Sequence, residues 1–135
     1  MKLTEFKKLI KEEVRKVLKE NNSLTFDKIQ QYIMGGGKGN LDLNNLSITS
    51  LPDNLRVRGT LDLANNPITT LPDDLWVSVD LILINTKITS LPKGLTVGGN
   101  LYLSNTPISK EYSKYELEKM VPGVKKGVIP YNETF

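Results

Sequence analysis

A period of 20 residues, held without insertion, constrains this chain more than any other feature. Gly39 to Arg58 reads GNLDLNNLSITSLPDNLRVR, Gly59 to Ser78 reads GTLDLANNPITTLPDDLWVS, and Val79 to Gly98 reads VDLILINTKITSLPKGLTVG. Gly99 opens a fourth copy, GNLYLSNTPIS, which breaks down after Ser109. Leu41, Leu61, Leu81 and Leu101 fall in register, as do Leu43, Leu63, Leu83 and Leu103, and Ile48, Ile68, Ile88 and Ile108. Leu-Pro pairs at Leu51, Leu71 and Leu91 follow, then Leu55, Leu75 and Leu95, then Val57, Val77 and Val97. Leu-x-Leu has the two-residue period of a strand and puts both leucines on one side. The proline after the next leucine forbids a regular helix and favours an extended return. Each copy is therefore expected to be one coil: a short strand, a turn, an extended back segment and a second turn at glycine. A lone coil cannot bury its six inward aliphatic groups. Stacked coils can, with parallel strands about 4.8 Å apart and about 1.5–3 kcal/mol from each buried aliphatic side chain.

The pattern resembles the leucine-rich repeat in its short bacterial LPX form. Leu61-Asp62-Leu63-Ala64-Asn65-Asn66-Pro67-Ile68-Thr69-Thr70-Leu71-Pro72 carries the family pattern LxLxxNxLxxLP in full. The resemblance covers residues 39–109 and implies a right-handed α/β solenoid of about four repeats, with a short parallel β-sheet. It also implies that the asparagine at the Asn66 position bonds to backbone of its loop and of the adjoining coil. The other copies carry Leu46, Thr86 and Thr106 there, and a column of Asn45, Asn65, Asn85 and Asn105 sits one residue earlier. Similar repeats occur in secreted effectors of enteric pathogens and in proteins of tailed bacteriophages. The effectors' ubiquitin-ligase activity depends on a catalytic cysteine in a separate domain, and this chain has neither.

The repeats need caps, and the flanking segments supply candidates. Residues 3–20 read as an amphipathic helix, with Leu3, Phe6, Leu9, Ile10, Val14, Val17 and Leu18 at spacings of three and four among lysines and glutamates. Thr25 can cap a second helix over residues 26–34, whose Phe26, Ile29 and Ile33 share a face and form a lid, and Gly35-Gly36-Gly37 stops it. Beyond the repeats, Ser113-Lys114-Tyr115-Glu116 fits a capping box for a helix to about Val121, ended by Pro122-Gly123. Val128, Ile129 and Tyr131 read as a terminal edge strand. The organisation expected is an N-terminal helical appendage (1–22), a capping helix with a glycine joint (23–38), the repeats (39–109) and a C-terminal cap (110–135).

Composition narrows the chemistry. The 135 residues contain no histidine and no cysteine. This excludes histidine-dependent triads, thiolate nucleophiles, disulfides and zinc sites of the usual ligands. The formal net charge of +3 resides in the first twenty residues, which hold seven basic and four acidic side chains; the remainder holds eleven of each. Glutamates interleave with these lysines and dilute attraction to nucleic acid or a membrane surface, so neither is an expected partner. No secretory signal and no membrane span is legible. A cytoplasmic location in a bacterial host, or association with a virion, is the expectation.

Two constellations carry possible chemistry. Asp42 and Asp62 occupy outward positions of adjacent strands about 5 Å apart, a separation that suits a retaining glycosidase. The next copies carry Ile82 and Tyr102 there and nothing supplies a sugar cleft, so repeat duplication is the simpler origin. Gly35-Gly36-Gly37-Lys38-Gly39 lacks the strand before it, the helix after it and the hydroxyl residue of a phosphate loop, and reads as a joint.

The outward strand positions form an expected concave face. They are Asn40, Asp42 and Asn44, then Thr60, Asp62 and Ala64, then Asp80, Ile82 and Ile84, then Asn100, Tyr102 and Ser104. Ile82, Ile84 and Tyr102 make either a contact patch or a surface that a cap covers. Trp76, outward on the back, is either an anchor or a side chain lying along its own coil. A non-enzymatic interaction or structural module without cofactor or metal follows. Its N-terminal helix would self-associate or tether it to a larger assembly of phage structural proteins, or fold back on the repeats. The alternative is an effector or inhibitor that binds a host protein through the concave face.

Overall fold

The computed structural model describes residues 26–131. The chain divides into two compact units, Met1–Gln31 and Tyr32–Phe135. The described residues of the first are helical and belong to α1, residues 26–34. Of the stripe expected to form a lid, Ile29 is buried whereas Phe26 and Ile33 are exposed. A helical stripe marks a face, but only what lies opposite decides how much of it is covered.

The second unit is a parallel-strand solenoid. Its front strands are β1 (Leu41–Asp42), β3 (Leu61–Asp62), β5 (Leu81–Ile82) and β7 (Asn100–Tyr102), joined at the edge by β8 (Gly127–Ile129). Its back strands are β2 (Arg56–Val57), β4 (Trp76–Val77) and β6 (Thr96–Val97). The front sheet runs β1-β3-β5-β7-β8 and the back sheet β2-β4-β6, with every pair parallel. Leu41 pairs with Leu61, Leu61 with Leu81 and Leu81 with Leu101, so the spatial register is the 20-residue period of the sequence.

Three full coils form, and the fourth copy contributes its front strand β7 before it leaves the pattern at α2 (Pro107–Glu111). Thr106 caps this helix and Pro107 stands at its first position, where a missing N–H costs nothing. Ser109 bonds back to Thr106 and closes a capping box with serine in place of the usual glutamate, so the helix start was not visible from the repeat pattern. The second cap, α3 (Lys114–Met120), has the expected reciprocal bonds between Ser113 and Glu116.

The core is the inward set: Leu43, Leu63, Leu83 and Leu103 are fully buried, and Leu55, Leu75, Leu95, Val57, Val77 and Val97 line the back. Leu117, Val121 and Val128 close the C-terminal end of this column. Glycines sit where coils meet most closely. A Cβ on Gly98 would collide with the Ser78 carbonyl, which explains glycine where the preceding copies carry Arg58 and Ser78.

The loops after the front strands turn through Asn45, Asn65, Asn85 and Asn105, with φ of 55°, 61°, 59° and 57°. Asparagine tolerates this left-handed conformation better than any branched residue, so the column is first a conformational requirement. It is also a ladder. The side-chain amide of Asn65 donates to Asn44 at 3.1 Å, Asn85 donates to Asn65 at 3.0 Å, and Asn105 donates to Asn85.

Candidate functional site

The outward residues of the front sheet form one transverse row: Asp42, Asp62, Ile82, Tyr102 and Ile129, each the strand partner of the next. The row changes character midway. At its acidic end, each carboxylate turns back on its own chain. Asp42 Oδ1 accepts from the Asn44 N–H at 3.0 Å, and Asp62 Oδ1 accepts from the Ala64 N–H at 3.0 Å. These two-residue bonds end the strands and lead into the left-handed asparagines. The pairing of the carboxylates that duplication brings about thus has a structural use in each coil. Among the described residues no three His, Cys, Asp or Glu side chains converge to hold a metal.

At the other end, Ile82 and Tyr102 lie directly opposite each other, and Ile129 of β8 extends their row. All three are half-buried. Ile84 stands two residues beyond Ile82, on the same side of its strand, and begins a cleft of about 410 Å³. Asn85, Ser104, Asn105, Ser109, Lys110, Pro130 and Tyr131 line the rest of it. Tyr131 is 57% exposed, which leaves an aromatic surface at the rim. The structure therefore brings Ile82, Ile84 and Tyr102 together, and sets Asp42 and Asp62 beside one another at the opposite end.

Two positions depart from the expected outward face. Ala64 and Ser104 are buried. Both are the last residue before a left-handed asparagine, where the chain begins to turn inward, and both are small enough to be shaded by longer neighbours. Ser104 Oγ is buried without a hydrogen-bond partner, and Ser104 lines the same cleft as Pro130 and Tyr131. Leu3, Phe6, Leu9, Ile10, Val14, Val17 and Leu18, the contact stripe expected on the N-terminal helix, lie outside the described residues.

Reading the repeats missed the contribution of Ile129, Pro130, Tyr131 and Lys110. The alternation around Val128 and Ile129 identifies a strand, but its place beside β7 breaks the 20-residue period. The anchor of this edge is equally non-local: Glu118 of α3 accepts from the Val128 N–H at 3.4 Å.

On the back, Trp76 is half-buried and stacks under Arg56, whose guanidinium carbon lies 4.8 Å from the ring centroid. Ahead of the first coil, Tyr32 secures the glycine joint. Its hydroxyl lies within hydrogen-bond distance of the Gly37 and Gly39 carbonyls, which share its single proton, and accepts from the Arg58 N–H at 3.1 Å. Gly36, Gly37 and Gly39 all have positive φ, so Gly35–Gly39 is a shaped joint between helix and first strand.

No protein-family model, no curated protein and no solved structure matches the chain. No helix among the described residues is long and apolar enough to cross a membrane.

Proposed function

We propose that this chain is a non-enzymatic protein-binding module of the leucine-rich-repeat type, and that its front sheet presents the contact surface. The observation that carries the reading is the row Ile82, Tyr102 and Ile129, which continues past Ile84 into the cleft. An apolar, aromatic-bearing strip on a rigid sheet, bordered by Asn85, Asn105 and Lys110, has the make-up of an interface centre with a polar rim. Sheet residues fixed by ladders on both sides lose little freedom on binding, which favours affinity. Asp42 and Asp62 give the other end of the row negative charge, so a partner with an apolar ridge flanked by cations fits the surface best.

The resemblance of the repeats adds a setting: a phage-encoded protein in a bacterial host, attached to a larger assembly or virion through the amphipathic stripe of its N-terminal segment. That segment then holds the module while the front sheet recognises.

The experiment is capture of partners from native or infected-cell lysate on the immobilised full chain, followed by affinity measurement on the purified pair. The double variant Ile82→Asp, Tyr102→Ala is expected to weaken binding at least about tenfold with its circular-dichroism spectrum unchanged. Asp42→Lys should weaken it less and alter its salt dependence. A partner that is indifferent to the front-sheet variants and lost on removal of residues 1–22 would move recognition to the N-terminal segment.

A further inference from the structure

We propose that the back of the solenoid carries a carbohydrate site, a groove built around Trp76 that takes one hexopyranose ring. The parallel pairing of β2, β4 and β6 places Arg56, Trp76 and Thr96 in a single outward row. Two residues before each stand Asn54, Asp74 and Gly94, and these six positions line an open groove of about 290 Å³. That volume is at the low end for small-molecule sites and suits one ring.

The shape comes from unequal copies of the repeat. The first two coils carry Asn54 with Arg56 and Asp74 with Trp76, whereas the third carries Gly94 with Thr96. The third coil is thus the lowest at both positions and leaves a step beside the indole. Glycine at position 94 is required by the backbone as well, since a Cβ there would come within 2.6 Å of the Asp73 carbonyl oxygen. Arg56 covers one face of the indole. The opposite side of the groove is bounded only by the short Gly94 and Thr96. Asp74 is held in place because its Oδ1 accepts from the Asn54 N–H at 3.1 Å, a contact across one coil spacing.

The chemistry of the lining selects the ligand class. Arg56 offers donors and Asp74 offers acceptors within one small groove, so an anion meets a like charge at Asp74 and a cation meets one at Arg56. A neutral polyhydroxylated ring avoids both repulsions. Its apolar C–H face rests on the indole face that Arg56 leaves open, and its hydroxyls donate to the Asp74 carboxylate, while the guanidinium holds the indole from behind. The groove lies on the opposite sheet from the protein-binding row, so this proposal is independent of that reading.

Trp76 is the single tryptophan of the chain, so its emission reports on this groove alone. The test is titration of the full chain with the methyl glycosides of glucose, mannose and galactose, with N-acetylglucosamine, and with trisaccharides of each. A saturable change in Trp76 emission with a millimolar Kd for a single ring is the expected result. Tighter binding of one trisaccharide would place the ring at the end of a glycan; equal affinity would assign the free sugar. Arg56→Gln and Asp74→Asn, both on exposed side chains, should each weaken binding about tenfold by calorimetry with the fold retained. The proposal fails if no sugar changes the emission. It fails equally if the change survives both substitutions, or if inorganic phosphate produces it, which would assign the groove to an anion on Arg56.

Discussion

Two loops that occupy the same place in successive coils solve one problem in different ways. In the second coil, Asn66 is buried and reaches five backbone groups, with two of its three carbonyl partners sharing one N–H. Its Oδ1 accepts from the N–H groups of Leu46 and Ile48 at 3.0 Å each. Its Nδ2 donates to the carbonyls of Leu43, Leu63 and Ala64. Three of these bonds reach the preceding coil. In the third coil, Thr86 is equally buried but makes one bond, to the Leu83 carbonyl at 2.7 Å, within its own coil.

The neighbouring residue explains the difference. The Lys87 N–H donates to the Ile68 carbonyl and the Thr89 N–H to the Thr69 carbonyl, so at this point of the loop main chain ties the third coil to the second. The corresponding position in the second coil is Pro67, which has no N–H to give. Asn66 links the second coil to the first through its side chain where Pro67 has no N–H, whereas at Thr106-Pro107 the following residue makes the link, the Ile108 N–H donating to the Ile88 carbonyl. Buried polar groups must be paired, but the fold leaves open which atoms do it.

Substitutions that break or sharpen this contrast should rank accordingly. Asn66→Ala strips partners from several buried backbone groups at once and should cost about 3–5 kcal/mol in urea unfolding. Asn66→Thr, which copies the solution of the third coil without its main-chain bonds, should recover only a small part of that loss. An Asn66→Ala cost below about 1 kcal/mol would show that water or a shifted loop replaces the side chain. Thr86→Val preserves shape and leaves one carbonyl unpaired, so about 1 kcal/mol is expected from the same measurement. The smallest effect has the opposite sign. Ser104→Ala removes an enclosed hydroxyl that has no partner, and should leave stability unchanged or raise it by up to about 1 kcal/mol. A marked loss there would mean that Ser104 Oγ makes a bond in solution.

Front and back sheets show a related division of labour. The front row keeps side chains of one kind together, with carboxylates at one end and apolar groups at the other, and presents a surface. The back row alternates Arg56, Trp76 and Thr96, and their differing sizes make a groove. Duplication fixes the backbone of each coil alike, while divergence at outward positions is nearly free of folding cost. Function can therefore accumulate on the outside without disturbing the aliphatic column.

Much of this molecule is dictated by sequence alone. The 20-residue period specifies which strands are neighbours and in what register, because any shift would turn Leu41, Leu61, Leu81 and Leu101 away from one another. The inward column follows, as does the adjacency of Asp42 with Asp62 and of Ile82 with Tyr102. The capping box at Ser113 is equally local and was legible as such.

Tertiary structure decided what lies outside the period. That β8 pairs with β7, that Ile129 extends the apolar row, and that Pro130 and Tyr131 share a cleft with Ser104 all depend on contacts between residues with no repeat relationship. The burial of Ala64 and Ser104 depends on the inward turn of the loop rather than on strand alternation. The asparagine column needed both levels. Its spacing is in the sequence, but its left-handed backbone and its amide ladder exist only once the coils stack. Local rules fix conformation, whereas which surface becomes a cleft depends on what the rest of the chain places opposite it.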